Sequence, residues 1–313
     1  MQKLLSIPKI SRLLFESKWF MTDEAQLSLI ADLSLVEKEA FFSDHIPSYK
    51  EETEEALTKL SVNLEANLTR NFTETDIPEQ SIAYHRIWGP ILADEDWYWY
   101  FSSKQYVREL QAADENPQIM SHFIHINSGG GEAWYLDQAW EATRNLKKPK
   151  VVLYEKMGCS AALYLGCDGD LCFALTQNDT IGSLGTMVSF WDIIPAFEKM
   201  GFKRIEEYAT KSKRKNKKYN DLRKGKPEQY IKEELDPLQE QFETAVRTSR
   251  ESIGKLPEDH PVVEGETFDG KNAIEVGLID GIVSFEEAVN EAHRLGVEHL
   301  SKVSKQNQAL SLI

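Results

Sequence analysis

One hydroxyl stands out by the company it keeps. Ser160, in the stretch EKMGCSAALYLGC (residues 155–167), sits between a Gly-Cys pair and an Ala-Ala pair. A core would take alanine at that position without trouble. A serine nucleophile needs open approach to its Oγ, an oxyanion donor on the N–H that follows it, and a base. Ala161 and Ala162 keep the approach open. If Ser160 opens a helix, the Ala161 N–H faces the reacting carbonyl. A serine that merely caps a helix N-terminus would occupy the same place in the sequence.

A second candidate element lies upstream. INSGGG puts Ser128, Gly129, Gly130 and Gly131 between an alternating segment and a helical one. Three glycines let the backbone turn sharply and leave N–H groups uncovered. Such groups attract negative charge, which suits either a phosphate cradle or an oxyanion hole. The spacing matches neither G-x-x-x-x-G-K-[ST] nor G-x-G-x-x-G. A plain tight turn is the remaining reading.

The base is less plain. His125 alternates with Ile124 and Ile126, which reads as a satisfied histidine on the opposite sheet face. His85 and His122 carry no local signal, and no His-plus-Asp pattern stands out. A lysine can serve if desolvation keeps it neutral. Residues 208–218 hold Lys211, Lys213, Lys215, Lys217 and Lys218, whose mutual repulsion would favour a neutral amine. Most of such a charge run is a solvated loop. The chemistry needs only one lysine to turn inward.

These residues need a scaffold. IAYHRIWGPIL reads as a strand ending at Gly89-Pro90, HFIHIN (122–127) as a strand entering the glycines, and residues 132–146 as a helix. PKVVLYE (149–155) is a buried strand, Ser160 heads a helical segment, DLCFAL (170–175) is a third strand, and a helix follows near 192–200. Strand and helix in alternation with short connections imply stacked β-α units on a largely parallel sheet. Residues 1 to about 75 read as an acidic helical arm, with Thr22 as an N-cap and a second helix in YKEETEEALTKLSVNLEANLTR. The last dozen residues read as a polar tail.

The totals narrow the function. The chain has 313 residues and a net charge of −15, so a general nucleic-acid binder is disfavoured. Cys159, Cys167 and Cys172 lack metal-ligand spacing, and their odd number argues against a disulfide framework. They read as reduced core residues. The first twenty residues have scattered charges and no apolar leader core, and no stretch approaches a membrane span. A soluble cytoplasmic protein is expected, with no cofactor, no metal and no membrane partner.

Taken in order, INSGGG, GCSAALYLGC, IGSLGT, K-S-K and ETFDGKNAIEVGLIDGI resemble the serine-lysine peptidases of the signal peptide peptidase A group. The likeness covers about residues 80–295 and looks closest to the soluble branch that includes prohead proteases of tailed phages. It implies a fold similar to Clp protease and crotonase, a stacked β-α superhelix, here with a helical N-terminal arm. The implied domains are an arm over 1–78, a peptidase domain over 79–296 and a tail over 297–313.

The resemblance also implies roles. Ser160 matches the nucleophile. Gly130 and the Ala161 N–H match the oxyanion donors, with Gly131 as the neighbour that could take Gly130's part. Lys213, 53 residues after Ser160, matches the general base, with Lys211 as the fallback. Ser183 in GSLG matches a serine that hydrogen-bonds the lysine. Gly129 stands where the family has proline, and Ala161 and Ala162 where it has glycines. The expected function is a serine endopeptidase that processes phage scaffold or capsid polypeptides, working as a homo-oligomeric ring. Other readings are a cytoplasmic bacterial peptidase, an acyl-CoA enzyme with the paired-amide hole alone, and an inactive assembly module.

Overall fold

Twelve strands and a set of flanking helices form the part of the computed structural model that positions the candidate residues. It describes residues 19–21, 47–94, 100–190, 192 and 194–310. The helix expected from Thr22 lies outside the described residues. The strands are β1 (Trp19–Met21), β2 (Leu68–Thr69), β3 (Ser81–Trp88), β4 (Ile91–Leu92), β5 (Phe101–Ser102), β6 (Ile119–Ser128), β7 (Gly130–Glu132), β8 (Lys150–Cys159), β9 (Leu171–Ala174), β10 (Thr180–Gly182), β11 (Thr267–Asp269) and β12 (Gly281–Ile282). The principal helices are α1 (Tyr49–Leu60), α2 (Ser103–Glu115), α3 (Leu136–Arg144), α4 (Ala161–Gly166), α5 (Ile194–Lys199), α6 (Lys217–Arg223), α7 (Asp236–Ser249), α8 (Gly270–Val276) and α9 (Phe285–Leu310).

The main sheet runs β11-β10-β8-β6-β3-β2, with β9 on the first half of β8 and β12 beside β9. Every pairing in it is parallel except β10 with β11. The fold is therefore α/β with a mostly parallel sheet. A smaller sheet runs β1-β7-β4-β5. The chain passes from one sheet to the other at Ser128-Gly129, where β6 gives way to β7.

Both faces of the main sheet are covered, so β6 is buried nearly throughout and β8 is buried over its first half, Lys150–Tyr154. Ile124, Ile126, Val152 and Tyr154 pack with residues of α2, α3, α4 and α7. Phe123, Val151 and Leu153 point the other way, onto Ala288, Val289 and Ala292 of α9. Each large side chain so buried contributes about 1.5–3 kcal/mol. Gly296 lets α9 lie close to β6, since a Cβ there would meet Met120 Cγ at 2.7 Å.

Three expectations change. Trp19–Met21, read as part of a helical arm, is a strand. β2 joins the main sheet beside β3, so the chain before residue 79 is partly built into it. Residues 297–310 of the expected tail are the second half of α9, which runs to Leu310 with an exposed surface that accounts for its polar composition. No helix among the described residues is long and apolar enough to cross a membrane.

Candidate active site

β8 delivers Ser160 by changing partners along its length. Val151–Tyr154 pair with β9, whereas Met157–Cys159 pair with β10. The strand bends between them at Lys156, which has φ +65°. The Lys156 N–H donates to Asp179 Oδ1 at 3.1 Å, and Asp179 also accepts from the Thr176 amide and hydroxyl, both at 2.8 Å. One carboxylate thus holds the bend.

Ser160 itself ends the strand and opens α4, at φ +57° and ψ −120°. A residue with a Cβ enters that region at a cost of about 1–3 kcal/mol, so the surrounding structure must impose it. Its amide donates to Gly182 O at 2.9 Å, and its carbonyl accepts from Tyr164 N at 3.0 Å. A sharp strand-to-helix turn of this kind presents a hydroxyl beyond the end of a sheet.

The hydroxyl does not cap the helix. Ser160 is 0% exposed, and its Oγ is buried with no hydrogen-bond partner. A buried hydroxyl left unbonded costs about 1–3 kcal/mol, so it is not there to stabilise the fold. The approach expected to be open is closed in this structure. The small residues around it also have a packing role. A Cβ on Gly158 would meet the Tyr154 ring at 2.2 Å, and one on Gly166 would meet the Tyr154 hydroxyl at 2.5 Å.

The glycine segment lies next to this turn, because Ser128 is in register with Gly158, two residues before Ser160. Gly130 has φ +107°, which only glycine adopts without strain. Its amide donates to Ser128 Oγ at 3.1 Å. Ser128, which the sequence marked only as part of the turn, therefore holds the loop. Gly131 is glycine for a different reason: a Cβ would stand 1.9 Å from Ile91 O of β4. The Ala161 amide precedes the first intrahelical bond of α4, which starts at the Tyr164 N–H.

Ser183 follows Gly182, the register partner of Cys159, and is half-buried at φ +54°. Lys213 and Lys211 lie on a solvent-exposed turn, and neither hydrogen-bonds Ser160 Oγ. The structure brings together Ser160, Ala161, Ser183 and the glycine segment. It leaves both lysines in water.

The remaining titratable groups near the sheet are occupied. His125 Nε2–H donates to Glu155 Oε2 at 3.1 Å while Nδ1 accepts from the Tyr84 hydroxyl at 3.1 Å, and His85 Nε2 lies 3.1 Å from His122 Nδ1. None of these bonds reaches Ser160. Burial lowers the Lys148 pKa to about 8, but Nζ donates to Ala113 O and Asn116 O. Lys148 precedes β8, about 30 Å from Ser160 along a ten-residue strand. Burial pushes the Cys167 and Cys172 thiols up to about 12, so they are not nucleophiles at neutral pH.

The downstream motif 267–280 is a brace for this arrangement. β11 pairs with β10. Asp280 accepts from Arg250 Nη2 at 2.6 Å and from the Cys172 amide at 2.7 Å, tying α7's end to β9. Gly277 closes α8 at φ +85°.

Comparison with known proteins matches the model described as Peptidase family S49 over residues 142–298, just over half of the chain. Protease 4 of Haemophilus influenzae is 27% identical over 192 residues, covering 60% of this chain and 30% of that protein. Serine protease SPPA, chloroplastic, of Arabidopsis thaliana is 23% identical over 195 residues, covering 60% of this chain and 28% of that one. The chain thus spans about a third of these relatives. Among solved structures, a membrane-bound stomatin-specific protease variant with a substrate peptide aligns at TM-score 0.40 and 11% identity, over 69% of this chain and 81% of that one. An enoyl-CoA hydratase/isomerase family protein from Silicibacter pomeroyi aligns at 0.41 and 13%, over 71% and 81%.

Proposed function

Since the chain belongs to peptidase family S49, we propose that it is a serine endopeptidase with Ser160 as nucleophile and Lys213 as general base. The observation that carries this reading is the Ser160 hydroxyl. It is held on a strained strand-to-helix turn, is bonded to nothing, and lies beside the glycine turn, since Ser128 is in register with Gly158.

In the proposed reaction, neutral Lys213 takes the proton from Ser160 Oγ as Oγ attacks the scissile carbonyl carbon. The oxyanion rests on the Ala161 amide and an amide of Gly130 or Gly131. For Gly130 to serve, its N–H must turn from Ser128 Oγ. The C–N bond then breaks, and the Lys213 ammonium returns its proton to the leaving amine. Water, deprotonated by the same lysine, hydrolyses the ester and frees Ser160. Ser183 positions the lysine, with Lys211 the alternative base.

This reading requires the exposed turn to fold inward, and the surface around it offers a cause. Phe197, Met200, Phe202 and Ile205 are exposed on the stretch that leads to Lys213. Phe197 and Phe202 are in ring contact at 5.8 Å, and large apolar side chains clustered on a surface in this way are normally covered. A second copy of the chain, as in a homo-oligomeric ring, would cover it and desolvate the lysine. The substrate class we propose is an extended polypeptide such as a phage scaffold or capsid protein.

The test is intact-mass labelling with a fluorophosphonate on wild type, Ser160→Ala and Lys213→Ala. One adduct on wild type, lost in both variants, supports the dyad. An adduct that survives Ser160→Ala overturns it.

A further inference from the structure

β1 pairs antiparallel with β7, with Trp19 opposite Glu132, Phe20 opposite Gly131 and Met21 opposite Gly130. The partner strand is the glycine segment of the candidate oxyanion hole. β7 has two edges, and β4 takes one of them, in parallel at Ile91 and Gly131. That contact is so close that a Cβ on Gly131 would overlap Ile91 O. The edge that β1 occupies is the one left for any other strand.

Ser128 is in register two residues before the nucleophile, so the segment Ser128–Gly130 lies alongside Ser160 and flanks one approach to it for an extended polypeptide. The most direct way to hold it there is to add a strand to the open edge of β7, where backbone bonds hold a peptide whatever its side chains. β1 already stands on that edge. With it in place Ser160 is 0% exposed.

We infer that residues 19–21 are a self-held pseudosubstrate strand: the chain closes its own cleft, and a substrate or partner must displace β1 before Ser160 can react. The inference rests on Ser160 being the nucleophile. The strand is suited to displacement, since a three-residue ladder is short compared with the ten-residue strands of the main sheet. A ligand that binds the open form then shifts the population toward it.

Consecutive residues of a strand point their N–H groups to opposite sides, so one of Phe20 and Met21 donates toward β7. Proline removes that donor. The experiment compares full-length wild type, Phe20→Pro and Met21→Pro in fluorophosphonate labelling rate, with amide hydrogen exchange at residues 130–132 as the second readout. The expected result is faster exchange on β7 in at least one proline variant. Ser160 labelling in that variant should be roughly tenfold faster, the open fraction having risen by that factor. A synthetic peptide of residues 12–28 should slow both again. If exchange rises while labelling stays at the wild-type rate, the autoinhibition is wrong and the Ser160 reading stands. If exchange rises and no form is labelled at all, the peptidase reading fails and the inference with it. Unchanged exchange in both variants also overturns it, by showing that β1 does not hold the β7 edge.

Discussion

The Ser160 amide donates a 2.9 Å hydrogen bond to the carbonyl oxygen of Gly182. This bond joins the strained turn to β10, and β10 to β11 and the brace that ends at Asp280. Gly182 has φ +129°, and a Cβ there would meet Glu266 O at 2.5 Å. Gly182→Ala should therefore force β10 and β11 apart and cost about 2 kcal/mol or more. Urea denaturation should show that loss, together with slower Ser160 labelling under native conditions. Full stability and full labelling would mean that the bond does not set the turn.

Ser160 spends stability on its geometry. Glycine relieves the positive φ and removes the unbonded hydroxyl. Ser160→Gly should raise unfolding stability by about 1 kcal/mol, part of the strain being offset by glycine's larger chain entropy. It should also abolish labelling. A variant that is less stable than wild type would show that the hydroxyl has a structural partner after all.

Much of this site was legible from residue order. The strand into the glycines and the helix headed by Ser160 are local patterns and map to the elements expected, whereas the strand before Ser160 runs on from 155 to Cys159 and Gly130–Glu132 is a strand rather than the turn into a helix. The rest depends on register, which no local pattern encodes. His85 and His122 meet because β3 and β6 lie side by side, and nothing within either strand announces the other. Trp19–Met21 became a strand because β7 offers an edge. Gly131 reads as a loop glycine in sequence, but it is the approach of Ile91 that demands it. The lysines are the opposite case: the family resemblance singles out Lys213 among five, yet desolvation is a property of the folded surroundings, and here the turn is exposed.

That exposure makes the proposed base easy to test without harming the fold. Lys213→Ala should slow labelling and peptide hydrolysis by roughly 10²- to 10⁴-fold, the range of a lost general base, with an unchanged melting temperature. Lys211→Ala should stay near the wild-type rate. The reverse pattern would move the base to Lys211. Equal, small effects of both would leave the role to a group other than these two lysines.

Stability should also fall on mild acidification, for reasons unrelated to Ser160. Burial pushes His85 well below its usual value and lowers His122 and His125 as well, so all three fold as neutral rings. His122 Nε2 stands 3.5 Å from Asp114 Oδ1. A neutral ring with its proton there accepts at Nδ1 from His85 Nε2–H. The sign follows from linkage. The unfolded rings take up protons near pH 6.5, and the folded ones resist, so the unfolded state binds more protons below that pH. The stabilisation is complete above about pH 6.5 and is lost as pH falls through the lowered folded values, at up to about 1.4 kcal/mol per pH unit for each ring. Urea midpoints measured from pH 7.5 to 5 should drop accordingly. His85→Gln should flatten that slope by about one proton's worth, even though it lowers stability at pH 7.5. An unchanged slope in His85→Gln would mean that His85 titrates as it does in the unfolded chain.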